Sequence, residues 1–375
     1  MRLGIFAAAA MMILGHAPGA AGAPAEESSK GKPWYDSVKF SGKFAFEAAY
    51  DDNVVHYSGV DLAEFESVLN VGKYSITKAG DWILRPRLEL EAKTKGWGGE
   101  SLSLDATLSS WRYVWNDIKN NESYDVTLKH GAWGVSNFQL GFYHAPMYYI
   151  RNFRDRDPFT SIATPLGYKD FSLTSNSMYL GFWKKYTNRI RGKIELRRAW
   201  RYFNQAFMEN DNWEWRITGY VQYSLFDFLE VKGEYAYSDV KGRGADSAGE
   251  TRENSDDSDP SYERDAYAFD LLYAFPKKNP LRLSGLNLKF DYQIYYFTSA
   301  KRIEEDPFHV GRKDKVYRFE AIGNTRPVLG QVSLQGGYRY TERTSTAPEA
   351  SAGEDIGEEK DYKDNRYWFG VEYPF

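Results

Sequence analysis

The residues of this sequence best suited to chemistry are arginines that recur at alternate positions. Arg189, Arg191, Lys193, Glu195, Arg197 and Arg201 share one parity within a single short stretch. Side chains two apart in an extended strand lie on one face, so this stretch predicts a strongly basic wall. A guanidinium offers a planar fork of donors that matches carboxylate or phosphate bidentately, and basic rings favour anions in pores. The same parity elsewhere adds Arg85, Arg87, Lys93, Arg216, Arg318, Arg339 and Arg343. Acidic partners stand at Glu89, Glu91, Glu195, Glu214, Glu234, Asp270, Asp291, Glu320 and Glu372. The pattern therefore supports two roles, a lining that receives anions and Arg–carboxylate ladders that stiffen a wall.

A second cluster runs from His144 to Phe159, where Tyr148, Tyr149, Arg151, Arg154 and Arg156 interleave rings with cations. Read as a loop, it predicts a constriction in which aromatic faces stack on sugar rings and arginines pair with acidic groups. The alternative is a loop packed on a rim by its own aromatics. Catalysis has a thinner basis. His56-Tyr57-Ser58 is the one close His/Ser pair, and no third group supports it. No phosphate loop, zinc triad or dinucleotide fingerprint occurs, and Asp256, Asp257 and Asp259 lack the spacing of a calcium loop. No catalytic residue, metal or cofactor is expected, and a net charge of -4 gives no reason to expect nucleic acid.

The elements that must position these residues are long alternating strands. Val38, Phe40, Gly42, Phe44, Phe46, Ala48 and Tyr50 oppose Lys39, Ser41, Lys43, Ala45, Glu47 and Ala49. Soluble strands average about 5–6 residues, whereas tilted strands that cross a bilayer need about 9–11 for the hydrocarbon alone. Similar alternation recurs near 80–95, 100–115, 122–133, 136–149, 173–186, 189–203, 211–225, 227–241, 262–276, 283–300, 312–323, 330–344 and 362–374, which predicts about fourteen strands, with twelve to sixteen allowed. Pro86 interrupts the second strand and predicts a bulge there. Aromatic residues make up 17% of the chain while the mean hydropathy is -0.61. That pairing suits a barrel whose lipid-facing and lumen-facing residues average out. Cysteine is absent, which excludes disulfides, thiolate metal sites and a lipid anchor on Cys.

The last strand places Tyr367, Phe369, Val371, Tyr373 and Phe375 on one face and ends the chain on an aromatic residue. It resembles the C-terminal signature of bacterial outer-membrane β-barrels, which their assembly machinery reads, and this predicts that machinery as a partner through Phe375. Connections support the likeness. Long ones near 52–79, 150–172, 242–261 and 345–361 alternate with short turns, so every long loop falls on one side. Val60 to Asn70 could form a short amphipathic helix within the first of these loops. Met1 to Ala25 reads as a cleaved secretory leader, and 26–36 as a periplasmic tail. The mature chain, 37–375, is expected to be an all-β, transmembrane, antiparallel up-and-down barrel in the outer membrane, in contact with lipid and lipopolysaccharide.

The arginine-rich parity makes the chain similar in character to alginate exporters and acidic-oligosaccharide porins. That likeness implies passage of an anionic saccharide or small anion, with a separate periplasmic export scaffold as a further partner. The rivals are a general or anion-selective diffusion porin and a surface adhesin that acts through its acidic loops.

Overall fold

Strands that alternate apolar and polar faces leave unpaired backbone at both edges of a sheet unless the sheet closes on itself. The computed structural model describes residues 37–67, 73–154, 167–246, 248–255, 257–348 and 360–375, and in it the sheet closes. The strands are β1 (Lys39–Asp51), β2 (Asp81–Lys95), β3 (Ser101–Tyr113), β4 (Asn121–Ala132), β5 (Ser136–Arg154), β6 (Tyr168–Lys185) and β7 (Ile190–Phe203). They continue with β8 (Asn212–Phe226), β9 (Leu229–Gly242), β10 (Tyr262–Ala274), β11 (Leu283–Phe297), β12 (Lys313–Thr325), β13 (Ser333–Thr346) and β14 (Tyr362–Pro374). Each pairs antiparallel with its sequence neighbours, and β1 pairs with β14. This is the expected fourteen-stranded up-and-down barrel. The predicted leader and tail lie outside the described residues.

Closure rests on the terminal residue. The β1–β14 register runs from Lys43 opposite Pro374 to Asp51 opposite Arg366. Beyond it, Gly42 and Phe375 exchange both backbone hydrogen bonds, at 2.9 and 2.8 Å. The Phe375 ring lies over Gly42 so closely that a Cβ there would sit 2.4 Å from a ring carbon. Glycine at 42 is what lets the last ring cover the seam.

The outward parity carries exposed Phe40, Phe44, Trp82, Leu84, Leu140, Leu180, Ile194, Phe269, Phe290 and Phe369. Tyrosines line up across neighbouring strands on this face, with ring centroids 5.3 Å apart for Tyr235–Tyr267, 6.4 Å for Tyr267–Tyr292 and 4.9 Å for Tyr292–Tyr317. An apolar band with aromatic rows is the exterior that lipid requires. Among the described residues no helix is long and apolar enough to cross a membrane.

The structure departs from the sequence-based expectations in three places, and it contains the short helix expected in the first long loop. Pro86 sits opposite Phe46 in an unbroken β1–β2 register, and the β2–β3 register has the same offset before and after it, so no bulge forms. Pairing with β3 lapses only at Arg85 and Pro86, where the missing N–H leaves the ladder short. The strand expected over 136–149 continues to Arg154 as β5, so 150–154 are strand rather than loop, and β5 carries register shifts between Ala145 and Tyr148 and between Tyr149 and Arg151. Such shifts bend a strand and re-aim its side chains, and they hid the strand's periodicity. Arg189 lies exposed in the turn ahead of β7 rather than within the strand. The helix of the first long loop, α1, spans Gly59–Glu66, capped by the Ser58 side chain, which accepts from the Asp61 N–H at 3.1 Å; residues 68–70 are outside the described set.

Candidate site in the barrel lumen

The inward parity gathers charges from every part of the wall. Glu214, only 3% exposed, is held between Arg201 and Arg264, with Arg264 Nη2 at 2.9 Å. Glu195 accepts from Lys193 at 2.8 Å and from Arg197 at 3.0 Å. Arg87 Nε lies 2.9 Å from Glu89 and Arg366 Nη2 lies 2.7 Å from Glu47. Lys232 joins Glu234 at 2.8 Å and Asp270 at 3.5 Å. These are the ladders that stiffen a wall.

The pairing is incomplete in an ordered way. Cross-strand partners on one face sit within about 5.5 Å of each other, where like charges repel. Arg339 is directly opposite Arg366, and Arg197 directly opposite Arg216. Glu47, the cross-strand partner of Arg85, is turned to Arg366, so Arg85 stacks on Trp111 at 4.8 Å and its Nε is buried without an acceptor. Arg216 is likewise left with a buried Nε and no acceptor, because Glu214 serves Arg201 and Arg264. Arg318 and Arg339 reach carboxylates only at 4.0 Å, Asp291 and Asp51 respectively, and each has an orphaned Nε. Tyr143 on β5 stands within electrostatic reach of both Arg85 and Arg197. Arginines without a close carboxylate thus stand on β2, β8, β12 and β13. The opposite sign is concentrated toward the short-turn end of β2 to β4. There a cavity of about 520 Å³ is lined by Glu89, Glu91, Asp105, Asp125, Lys43 and Lys129.

Among the described residues, the first long loop, which the sequence did not single out as a constriction, stands at the outer end of the lumen. The first long loop, L1 (52–80), folds onto the inward side of its own strands. Val54, Val55, Tyr57 and Ile76 are buried with Ala49, Ile83 and Tyr149, and Trp111, Tyr113 and Trp368 pack around them. Ala49, Ile83, Trp111, Tyr113 and Trp368 all belong to the inward parity, so L1 occupies the lumen's outer end on this side. It is tied across the mouth. His56 Nε2 lies 3.0 Å from Asp364 of β14, with its ring stacked on Tyr362 at 4.5 Å. Asn53 Nδ2 donates to the Lys363 carbonyl at 3.1 Å. On the other side, Arg151 of β5 donates to the carbonyls of Val55 at 3.1 Å and His56 at 2.8 Å, and lies 3.5 Å from Asp61. Asn152 Nδ2 donates to Ser75 at 2.7 Å. His56 takes a φ of +55°, a left-handed conformation seldom adopted outside glycine, and the two-sided tether holds it there.

Of the residues expected to form the constriction, Tyr149 and Arg151 therefore act as the seat of L1. Tyr148 lies in β5, and Arg156 lies outside the described residues. Arg191 faces inward near the turn end of β7, opposite Gln222. Glu47, Arg264 and Arg366 belong to the site and were missed; their polar parity in β1, β10 and β14 was the available signal. His56 and Ser58 do not meet as a dyad, since His56 is turned to Asp364 and Ser58 caps α1. Asp246, Glu250 and Asp257 bring one carboxylate oxygen each within 4.8 Å of one another on a half-exposed loop, the one arrangement of this kind among the described residues. Asp259 is fully buried and accepts from the Ala300 N–H at 2.8 Å, and Asp256 is outside the described set. Near the mouth, burial and then the neighbouring Arg151 hold the Lys119 ammonium down to about 8, while its Nζ donates to the carbonyls of Tyr149 and Ile150 at 3.4 and 3.3 Å.

No protein-family model matches the chain, and no curated protein matches it. Among solved structures it is similar to the outer membrane channel DcaP of Acinetobacter baumannii, at 13% identity over 90% of this chain and 97% of that one, with a TM-score of 0.46. OmpT, an outer membrane protein of Vibrio cholerae, is similar at 9% identity over 90% and 97%, with a TM-score of 0.44. An anion-selective porin from Comamonas acidovorans is similar at 12% identity over 90% and 99%, with a TM-score of 0.40. This chain is itself a closed, fourteen-stranded, all-antiparallel β-barrel with an apolar exterior and a charged interior.

Proposed function

We propose that the protein is a passive outer-membrane channel for anionic solutes, and that its solute class is acidic oligo- or polysaccharide. The observation that carries this reading is the set of lumenal arginines without carboxylate partners, Arg85 and Arg216 foremost. A purely structural ladder gains nothing from a guanidinium without a carboxylate, whereas an anion entering the lumen supplies the counter-charge. Like-charged cross-strand pairs such as Arg339–Arg366 and Arg197–Arg216 raise the local positive potential further. Membrane placement follows from the apolar outer band, and outward passage toward the cell surface would call for a separate periplasmic scaffold.

The test is conductance of the purified protein in a planar bilayer with oligosaccharides added. Acidic oligosaccharides should block the current at concentrations where neutral ones of equal length do not. Equal block by both would remove the saccharide acid as the recognised feature. A second reading, a diffusion pore with anion preference only, is favoured by the extent of the Glu195, Glu214 and Glu47 pairing. It predicts anion selectivity without block.

A further inference from the structure

The outer face near the long-loop end contains a cation that the channel does not use, Arg198, which has no carboxylate partner among the described residues. Arg198 lies on the outward parity of β7, between Leu196 and Trp200 along the strand. Its cross-strand partners are Met178 on β6 and Trp215 on β8. Met178, Leu196, Trp215 and Ile217 are all exposed on the barrel exterior, so the guanidinium sits in the lipid-facing band and not in the lumen. Its carbon centre lies 4.7 Å from the Trp215 ring and 5.9 Å from Trp200. Its Nη1 is buried and meets no hydrogen-bond partner.

Three other outward cations near this end pair within the wall. Arg112 pairs with Glu122, Lys241 with Asp239 at 3.0 Å and Lys363 with Glu342 at 3.2 Å. A charge in a lipid-facing band is costly unless a partner reaches it, and such a residue points to a site whose partner lies outside the chain. The indoles on either side fix both the depth and the orientation. Trp is enriched at the boundary between hydrocarbon and headgroups, so Arg198 stands just beneath the headgroups of the leaflet at the long-loop end. The ring faces hold the guanidinium against the wall at this depth. Asn176, the cross-strand partner of Trp200, and His144, whose Nδ1 lies 2.8 Å from the Asn176 oxygen, place further polar atoms beside it at sugar level.

We infer that Arg198, set between Trp200 and Trp215, is a docking site for the phosphate of an outer-leaflet glycolipid. The inference rests on the reading that the barrel spans the outer membrane. Charge complementarity selects the occupant: a phosphate offers several acceptors to a bare fork, and the acyl chains below it match the Leu196, Met178 and Ile217 surface. A second copy of this chain would have to present a carboxylate at the same depth in the band.

The test reconstitutes the full chain and compares three lipids added in detergent: phosphorylated lipid A, enzymatically dephosphorylated lipid A, and a zwitterionic phospholipid. Retained lipid is counted by native mass spectrometry on the wild type, Arg198→Leu and Arg198→Lys. Vesicle flotation and channel conductance are measured on the same samples. The wild type should retain the phosphorylated form at least ~10-fold better than the dephosphorylated form, the scale of a charge-assisted hydrogen bond. Arg198→Leu should bring that ratio to about one while still floating and conducting, and Arg198→Lys should fall between. An unchanged ratio in a floating, conducting Arg198→Leu protein overturns the site and leaves the membrane reading intact. Failure of the wild type to float or conduct overturns both. Dimers that dissociate on Arg198→Leu, without any lipid preference, would assign the residue to self-association and also overturn the proposal.

Discussion

Replacing Arg151 with Met should release L1 from the mouth of the barrel. The guanidinium donates to two main-chain carbonyls of L1, Val55 and His56, stacks on Tyr57 at 5.3 Å, and faces Asp61 at 3.5 Å. Each hydrogen bond from a charged donor contributes about 1.5–3 kcal/mol, and removing one partner leaves the other groups buried and unpaired. A loss of about 3 kcal/mol in the closed arrangement follows even if half of this is recovered by water, which corresponds to roughly a 150-fold rise in the opening equilibrium at ~1.4 kcal/mol per factor of ten. Methionine preserves much of the side-chain volume, so β5 and its pairing with β6 should survive. The assay is amide exchange at Tyr57, whose N–H is bonded to Asn53 Oδ1 at 2.8 Å, together with the conductance of single channels. Protection at Tyr57 should fall by about two orders of magnitude, and the mean open current should rise. Arg151→Lys retains the charge without the fork and should show a smaller fall. Protection at Tyr57 that stays at the wild-type value in Arg151→Met would refute the reasoning, because L1 would then be held by the β14 side alone.

Three further outcomes follow from the same contacts. Lys119 has a folded pKa below its unfolded value of about 10.4, so between pH 8 and that value the unfolded chain binds more protons and stability rises with pH. The burial cost, about 3 kcal/mol, is fully present below pH 8; Lys119→Met should flatten the slope in urea titrations run from pH 7 to 10, and an equal slope in both proteins would count against it. Glu214→Gln leaves Arg201 and Arg264 without their shared carboxylate and should cost about 3–5 kcal/mol, read as a lower temperature for loss of the heat-resistant band on gels. Gly42→Leu drives a side chain into the Phe375 ring and should slow barrel closure during refolding into detergent, while Gly59→Ala, where the added methyl meets nothing, should refold at the wild-type rate.

Much of the architecture was legible because a strand that divides lipid from water writes its own period into the chain. Phe40 to Tyr50 against Lys39 to Ala49 announces β1, and the aromatic run to Phe375 announces its partner. Parity also grouped the candidate strand arginines on one face, Arg189 excepted, since it stands in the turn ahead of β7. It could not say which carboxylate answers which arginine, because that depends on the register between strands. Glu47 is nearest in sequence logic to Arg85, yet β14 brings Arg366 to it first. The mouth was misread for a related reason. Two register shifts broke the alternation of β5 and made its end, from Ile150 to Arg154, look like a loop. Val54, Val55 and Tyr57, which occupy the lumen's outer end on one side, stand in a loop whose apolar content shows no period. Arg198 was visible as an arginine on the wrong parity, and only its Trp neighbours on β7 and β8 give that position a meaning.

The central claim is that unpaired lumenal arginines make this barrel a path for anions, and reversal potential in a salt gradient tests it most directly. The wild-type channel should give a reversal potential of the sign set by anion flow. The Arg85→Gln, Arg216→Gln double variant, which removes the two cations without carboxylate partners, should shift it toward zero while leaving single-channel conductance of the same order. A wild-type reversal potential of cation-selective sign, or no current at all from correctly folded protein, would contradict the account.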